Sequence, residues 1–386
     1  MTKNICVVIT ARPSYSRIRS ALFELKKYED VNLQIVVAAS AVLDTYGKVV
    51  NQVEKDGFNV SSMVYNVVSG ENINVAAKTT GLGIIELATV FDNIKPDYVV
   101  TIADRFETIA TAIAASYMNI PLIHIQGGEV TGNIDEKVRH AITKLSDVHL
   151  VSTEKAKERI IKMGENPDRV FVTGCPSIDI ASDVKKNYDS IKFVPYEKYN
   201  GVGNLKKDNK EYVVVMLHPL TTEINKAKEQ TKCLLETVEK LDKQIYWFWP
   251  NVDAGADVVS KEIRKYREMK DKSNIYYFKN MSPKDFLALL IGSECIIGNS
   301  SVAIRECSYL GVPAINIGDR QIGRERGKNV IDVDFDEREI LQAYNKIVSN
   351  SRPSSDELYG NGNAGVEIAK VIASLDNISI NKILQY

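Results

Sequence analysis

Carboxylates and basic side chains recur in short polar loops that each follow an apolar run. That is the pattern of a site for acid–base work on a charged small molecule. The densest set lies in HIQGGEVTGNIDEKVRH, residues 124–140, which holds Gln126, Glu129, Asp135 and Glu136 with Arg139 and His140 beside them. Two adjacent glycines there, Gly127 and Gly128, let backbone come close to a ligand. Asp104 and Arg105 close an earlier apolar run in the same manner. Carboxylates at successive loops suit the removal and return of a proton on a sugar, where neighbours push their pKa values apart. The plain alternative is a charged surface loop, with Asp104 capping the next helix.

A second set is built for an anion. Gly298-Asn299-Ser300-Ser301 interrupts the apolar run 295–297 and leads into a helical pattern that begins at Val302. Gly311 stands just past its end, and 313–317 is the next apolar run. A strand that turns into a helix in this way aims free N–H groups and the positive end of a dipole at a phosphate. Ser300 and Ser301 add hydroxyl donors, Glu306 is placed to take ribose hydroxyls, and Arg320, Arg324 and Arg326 follow as forked cations suited to a diphosphate. Arg12 and Ser16, in TARPSYS, occupy the first turn of the chain, which in a doubly wound sheet faces the ligand crevice. His218 and Asn251 end two later strands. Against this, Ser14, Ser16, Ser300 or Ser301 as ordinary helix caps and a solvated Arg12 explain the same residues with no ligand.

The elements that must position these loops alternate. Apolar runs predict strands at 5–10, 33–38, 61–67, 98–103, 122–125, 148–151 and 170–172. Amphipathic patterns predict helices at 16–27, 49–56, 74–93, 106–118, 136–145 and 155–163. Residues 178–210 lose the period and read as a linker with an exposed loop. Alternation then resumes, with strands at 212–217, 244–249, 275–278, 295–297 and 313–317, and helices at 227–241, 256–266, 284–291, 340–348 and 366–374. The expectation is an α/β protein of two Rossmann-like domains.

Composition narrows the function. The 386 residues are 44% hydrophobic and 26% charged with a net charge of −1, which argues against a nucleic-acid scaffold or a membrane-surface protein. No apolar run is long enough to span a bilayer. Five scattered cysteines without a CxxC spacing point to a reducing, cytoplasmic compartment, and four histidines offer no metal-ligand spacing.

Taken together and in order, TARPSYS, ADRFE, HIQGGEVTGNIDEKVRHAITKL, GCPSID, LHP, PNVDAG, GNSSVAIRE, NIGDRQIGRE and YGNGNA resemble the hydrolysing UDP-N-acetylglucosamine 2-epimerases of sialic-acid and related nonulosonate biosynthesis. The resemblance covers nearly the whole chain. It implies a GT-B-like arrangement with the active site in the interdomain cleft. Residues 1–180 form the first domain, 181–210 a linker and 211–364 the nucleotide-binding domain, and a helix at 365–386 crosses back to the first domain. It implies no metal and no cofactor. The implied reaction removes the C2 proton and eliminates the nucleoside diphosphate in anti fashion. Water then adds to C1, a proton returns to C2 from the opposite face, and free N-acetylmannosamine and UDP result. Arg12, Ser16, Arg105, His218, Asn251, Ser300, Ser301, Glu306 and Arg320 match the nucleotide- and phosphate-binding set. Asp104 and Asp135 match positions implicated in catalysis.

Two departures stand out. Gln126 replaces a Glu that the family often has, and Gln cannot carry a proton. Either Glu129, Asp135 or Glu136 then takes that role, or the substrate differs. Pro13-Ser14 follows Arg12 where many members have an acidic residue. The expected partners are a nucleotide sugar and water, with assembly as a homodimer or homotetramer and no role for nucleic acid or membrane. The alternatives are the same reaction on UDP- or GDP-linked N,N′-diacetylbacillosamine, a GT-B glycosyltransferase, or a nucleotide-sugar sensor without turnover.

Overall fold

The computed structural model describes residues 2–43, 48–68, 73–131, 134–205, 211–220, 223–250, 255–270 and 274–385. They form two compact units. The first comprises Met1–Glu129, Ile134–Asp179 and Gly360–Tyr386, and the second Val130–Asn133 and Ile180–Tyr359.

The first unit is built on seven parallel strands: β1 (Lys3–Ile9), β2 (Val31–Ala38), β3 (Val60–Val64), β4 (Tyr98–Ile102), β5 (Leu122–Ile125), β6 (Val148–Val151) and β7 (Val170–Val172). Their order is β3-β2-β1-β4-β5-β6-β7. Helices cover both faces, so the inner strands are apolar on both sides. Along β1, Ile5, Val7 and Ile9 enter one core cluster, while Cys6 and Val8 enter the other. The helix Ala364–Ser374 adds Ile368 and Ile372 to the first of these cores. Its first N–H groups are capped from a distance: Asp179 accepts from Ala364 N at 2.8 Å and from Gly365 N at 2.7 Å. Two of the motif segments, GCPSID and YGNGNA, thus meet for a structural reason. The chain winds outward from β1 to β3 and then returns to β4, so the winding direction reverses between β1 and β4.

The second unit repeats the scheme with β8 (Gly201–Gly203), β9 (Tyr212–Met216), β10 (Gln244–Phe248), β11 (Ile275–Phe278), β12 (Ile296–Gly298), β13 (Ala314–Ile317) and β14 (Val330–Val333), in the order β14-β13-β12-β9-β10-β11-β8. Here the direction reverses between β9 and β12. Among the described strands, β8 alone runs antiparallel, along β11.

Four expectations need correction. The stretch read as a linker carries the helices Pro176–Lys186 and Pro195–Lys198 and the edge strand β8. Ile178, Ala181 and Val184 do bury one side of the first helix, but it is too short for the period to stand out among its lysines and aspartates. The predicted helix 16–27 is two helices, Arg12–Ser16 and Arg19–Leu25, broken where the fully buried Ile18 takes a non-helical conformation. The helix after GNSS is a 3-10 turn, Ser301–Ala303, followed by the short helix Glu306–Leu310. Asn329 Nδ2 takes the Ala303 carbonyl at 3.0 Å, a group that a continuous α-helix would bond internally. Finally, the helix that the resemblance carries over 365–386 stops at Ser374, where the apolar pattern at 366–374 predicts its end.

Candidate functional site

In an open α/β sheet, ligands sit beyond the carboxyl ends of the strands where the winding direction reverses. In the first unit those ends carry Arg12 and Ser16 after β1, Asp104 and Arg105 after β4, and Gln126 and Glu129 after β5. Thr10 and Thr108 tie the first two loops together, hydroxyl to hydroxyl, at 3.3 Å. The backbone is bent hard at these corners. Ala39, Ala103 and Gln126 each directly follow a strand and each take a left-handed conformation, with φ of 51°, 63° and 65°. Non-glycine residues adopt this at a cost of about 1 kcal/mol or more, and such costs gather at functional sites.

His124 holds one of these corners. It is fully buried, and its ring faces the Ala103 carbonyl through Nε2 at 2.9 Å and Thr143 Oγ1 through Nδ1 at 3.3 Å. A carbonyl only accepts, so Nε2 carries the proton and Nδ1 accepts from the threonine. Burial pushes the ring's pKa down to about 3, which keeps it neutral.

Arg139 organises the carboxylates. Its guanidinium is 1% exposed and pairs with Asp104, with Glu136 Oε2 at 3.1 Å and with the Glu129 carbonyl at 2.9 Å. Asp104 is therefore an ion-pair partner and not a helix cap; Arg105 holds the cap position of the following 3-10 turn. His140 Nε2 lies 2.9 Å from Glu136 Oε1. Glu129 is buried and accepts from Ser152 Oγ at 3.2 Å, and Asp135 is half-buried in the first turn of the helix Ile134–Leu145. Glu129, Glu136, Arg139 and His140 are thus paired rather than a solvated charged surface. Gln126 is 2% exposed and donates from Nε2 to Cys175 Sγ at 2.9 Å, while its Oε1 is buried with no partner among the described residues.

Two residues of the first unit are less available to phosphate than expected. Ser16 Oγ donates to the Pro13 carbonyl of its own turn at 2.9 Å. Arg105 Nε is taken by Glu107 at 2.8 Å. Neither Ser14 nor Ser16 caps the first helix, whose N-cap is Ala11.

The second unit brings together His218 after β9, Ser300 and Ser301 after β12, and Arg320 after β13. Ser300 stands at the N-cap of the 3-10 turn with no side-chain capping bond, so the simple capping reading fails for it. Glu306 opens the next helix, and its Oε2 is buried without a partner among the described residues. Arg320 Nη1 donates to the Asn299 carbonyl at 3.2 Å. Arg326 belongs to the framework and not to a phosphate cluster: its Nε lies 3.0 Å from Asp332 Oδ2, and it also donates to the carbonyls of Gln321 and Arg324. Asn251 lies outside the described residues.

Sequence reasoning left Asn299, Cys175 and the corner-holding part of His124 unassigned. The signal was present only in part. A polar residue directly after a buried apolar run, as in Ile297-Gly298-Asn299, must satisfy its own amide somewhere. The partners themselves are far away in sequence.

Residues 23–373 match the family described as UDP-N-acetylglucosamine 2-epimerase. The chain is 31% identical over 362 residues to the UDP-N,N′-diacetylbacillosamine 2-epimerase (hydrolyzing) of Legionella pneumophila, covering 94% of this chain and 93% of that one. It is 27% identical to a UDP-N-acetylglucosamine 2-epimerase of Neisseria meningitidis serogroup B, covering 97% and 95%. In three dimensions it matches the Methanocaldococcus jannaschii UDP-GlcNAc 2-epimerase crystallised with UDP-GlcNAc and UDP. That match has a TM-score of 0.78 at 19% identity and covers 96% of this chain and 99% of that one, which gives the GT-B-like fold class. Among the described residues no helix is long and apolar enough to cross a membrane. The chain is a member of the UDP-N-acetylglucosamine 2-epimerase family.

Proposed function

We propose that the chain is a hydrolysing 2-epimerase, which converts a UDP-linked 2-acetamido sugar and water into the free 2-epimer and UDP. UDP-N-acetylglucosamine, giving N-acetylmannosamine, is the first substrate to test. The observation that carries the reading is the Arg139 cluster: the carboxylates of Asp104 and Glu136 and the backbone carbonyl of Glu129 around one buried guanidinium, beside the carboxyl end of β4, which borders the reversal of winding. In this reading the second unit binds the diphosphate through His218, the Ser300–Ser301 turn and Arg320, with Glu306 toward the ribose. The first unit supplies the proton chemistry. A carboxylate takes the C2 proton, the C1–O bond breaks, and UDP leaves with the electron pair. Water then adds to C1 of the resulting glycal while C2 regains a proton from the opposite face. Glu129 and Asp135 do this acid–base work. Asp104 pairs with Arg139 and holds the cluster together. Gln126 hydrogen-bonds without titrating.

The second reading keeps the reaction and changes the sugar to UDP- or GDP-linked N,N′-diacetylbacillosamine. Gln126 and the Legionella relative favour it. A panel of UDP- and GDP-linked N-acetylglucosamine and diacetylbacillosamine, followed by NMR, separates these cases. Free 2-epimer plus nucleoside diphosphate from one member of the panel is expected. A 2-epimer still bound to UDP would mean non-hydrolysing epimerisation, and release only with an added acceptor would mean a transferase.

A further inference from the structure

One residue of the second unit spends nearly all its hydrogen-bonding capacity on the loops assigned to the diphosphate. Asn299 is fully buried. Its Oδ1 accepts from His218 N at 2.8 Å, and its Nδ2 donates to the His218 carbonyl at 2.8 Å. A backbone N–H only donates and a carbonyl only accepts, so the amide orientation is fixed by its partners. The Asn299 backbone N–H donates to the Met216 carbonyl at 3.1 Å. Its carbonyl accepts from Arg320 Nη1 at 3.2 Å and from Gln321 Nε2 at 2.9 Å.

The position explains the residue type. The ladder between β9 and β12 ends at the pair Met216 and Gly298. His218 lies two residues past that point, beyond the end of the ladder. The Asn299 side chain stands in for the missing strand, presenting one acceptor and one donor as a peptide group would. Serine cannot offer both at this reach, and aspartate can accept but not donate.

We infer that Asn299 is a positioning residue: it holds His218 in register with the Ser300–Ser301 turn and Arg320, and so sets the affinity for the diphosphate. The inference rests on the nucleotide reading above. It is distinct from a purely structural role, which would change stability alone.

The test is a double-mutant cycle on UDP binding, read by calorimetry, with the melting temperature of each variant measured alongside. Asn299→Ala is expected to weaken UDP binding about tenfold, the scale of one or two lost hydrogen bonds. In a His218→Ala background the same change should cost no further affinity, because it acts through that histidine, while still lowering the melting temperature. Should Asn299→Ala fail to fold, Asn299→Asp takes its place in the cycle; it keeps the acceptor for His218 N–H and loses the donor. Unchanged UDP affinity in a folded Asn299 variant, or losses that add fully with His218→Ala, would overturn the positioning role. No UDP binding by the unsubstituted protein would instead sink the nucleotide reading, and this inference with it.

Discussion

At the scale of single residues, the decisive feature is how tightly charge is paired. Arg139 carries its charge into the interior, which is tolerable only because Asp104, Glu136 and the Glu129 carbonyl surround it. Glu129 and Asp135 are the carboxylates proposed above for proton transfer. Glu129→Gln and Asp135→Asn should each lower turnover by about two to four orders of magnitude. UDP affinity, read by calorimetry, should stay nearly unchanged, since both residues belong to the first unit. Turnover within a few-fold of the unsubstituted protein would remove the substituted residue from the mechanism. His124 gives a prediction of another kind. Its pKa falls from an ordinary 6.5 to about 3 because of burial. A depressed histidine contributes stability that is fully present above pH 6.5 and is lost as the pH falls from there toward 3. His149, also lowered chiefly by burial, acts in the same direction. The melting temperature should therefore drop across that interval. His124→Asn, which keeps an amide donor near Ala103 and does not titrate, should flatten the drop. An unaltered pH profile in that variant would contradict the assignment.

At the scale of elements, the strand ends matter more than the helices. Gly298 has φ of 142°, and a Cβ there would lie 2.0 Å from the Met216 carbonyl oxygen, so only glycine lets β12 end against β9 at that point. Gly298→Ala should destabilise the second unit by about 3 kcal/mol or more, seen as an earlier midpoint in urea. A midpoint unchanged from the unsubstituted protein would show that the strand ends can part without penalty. The same elements explain what the sequence made legible. The inner parallel strands are buried on both faces, so runs such as Tyr212–Met216 announce themselves as unbroken apolar stretches. Edge strands do not. Gly201-Val202-Gly203 carries almost no strand signal; its glycines are there because a Cβ on Gly203 would meet the Ile275 carbonyl oxygen at 2.3 Å. In the site, the loops were legible from their composition, because glycines, carboxylates and arginines gather at the carboxyl ends of successive apolar runs. Their pairing was not. Asp104 and Arg139 are 35 residues apart, and Asn299 and His218 are 81 apart, and nothing local in either segment names its partner.

At the scale of the whole molecule, each of the two units has its own sheet and its own core. A ligand that binds one native unit stabilises that unit by mass action, by about 2.7 kcal/mol at a hundredfold excess over Kd. Calorimetric melting with UDP should therefore raise the transition that belongs to Ile180–Tyr359, identified by its sensitivity to Gly298→Ala. A shift confined to the other unit would reverse the assignment of the nucleotide. The central claim, though, is chemical: the C2–H bond breaks, UDP leaves, and C2 is reprotonated from an exchangeable group. Proton NMR of turnover in deuterium oxide tests it most directly, with whichever nucleotide sugar proves active. The account predicts one equivalent of UDP for each free 2-epimer formed, with deuterium at C2 of that sugar from the first turnovers. Free 2-epimer that keeps protium at C2, or a 2-epimer still joined to UDP, would contradict it.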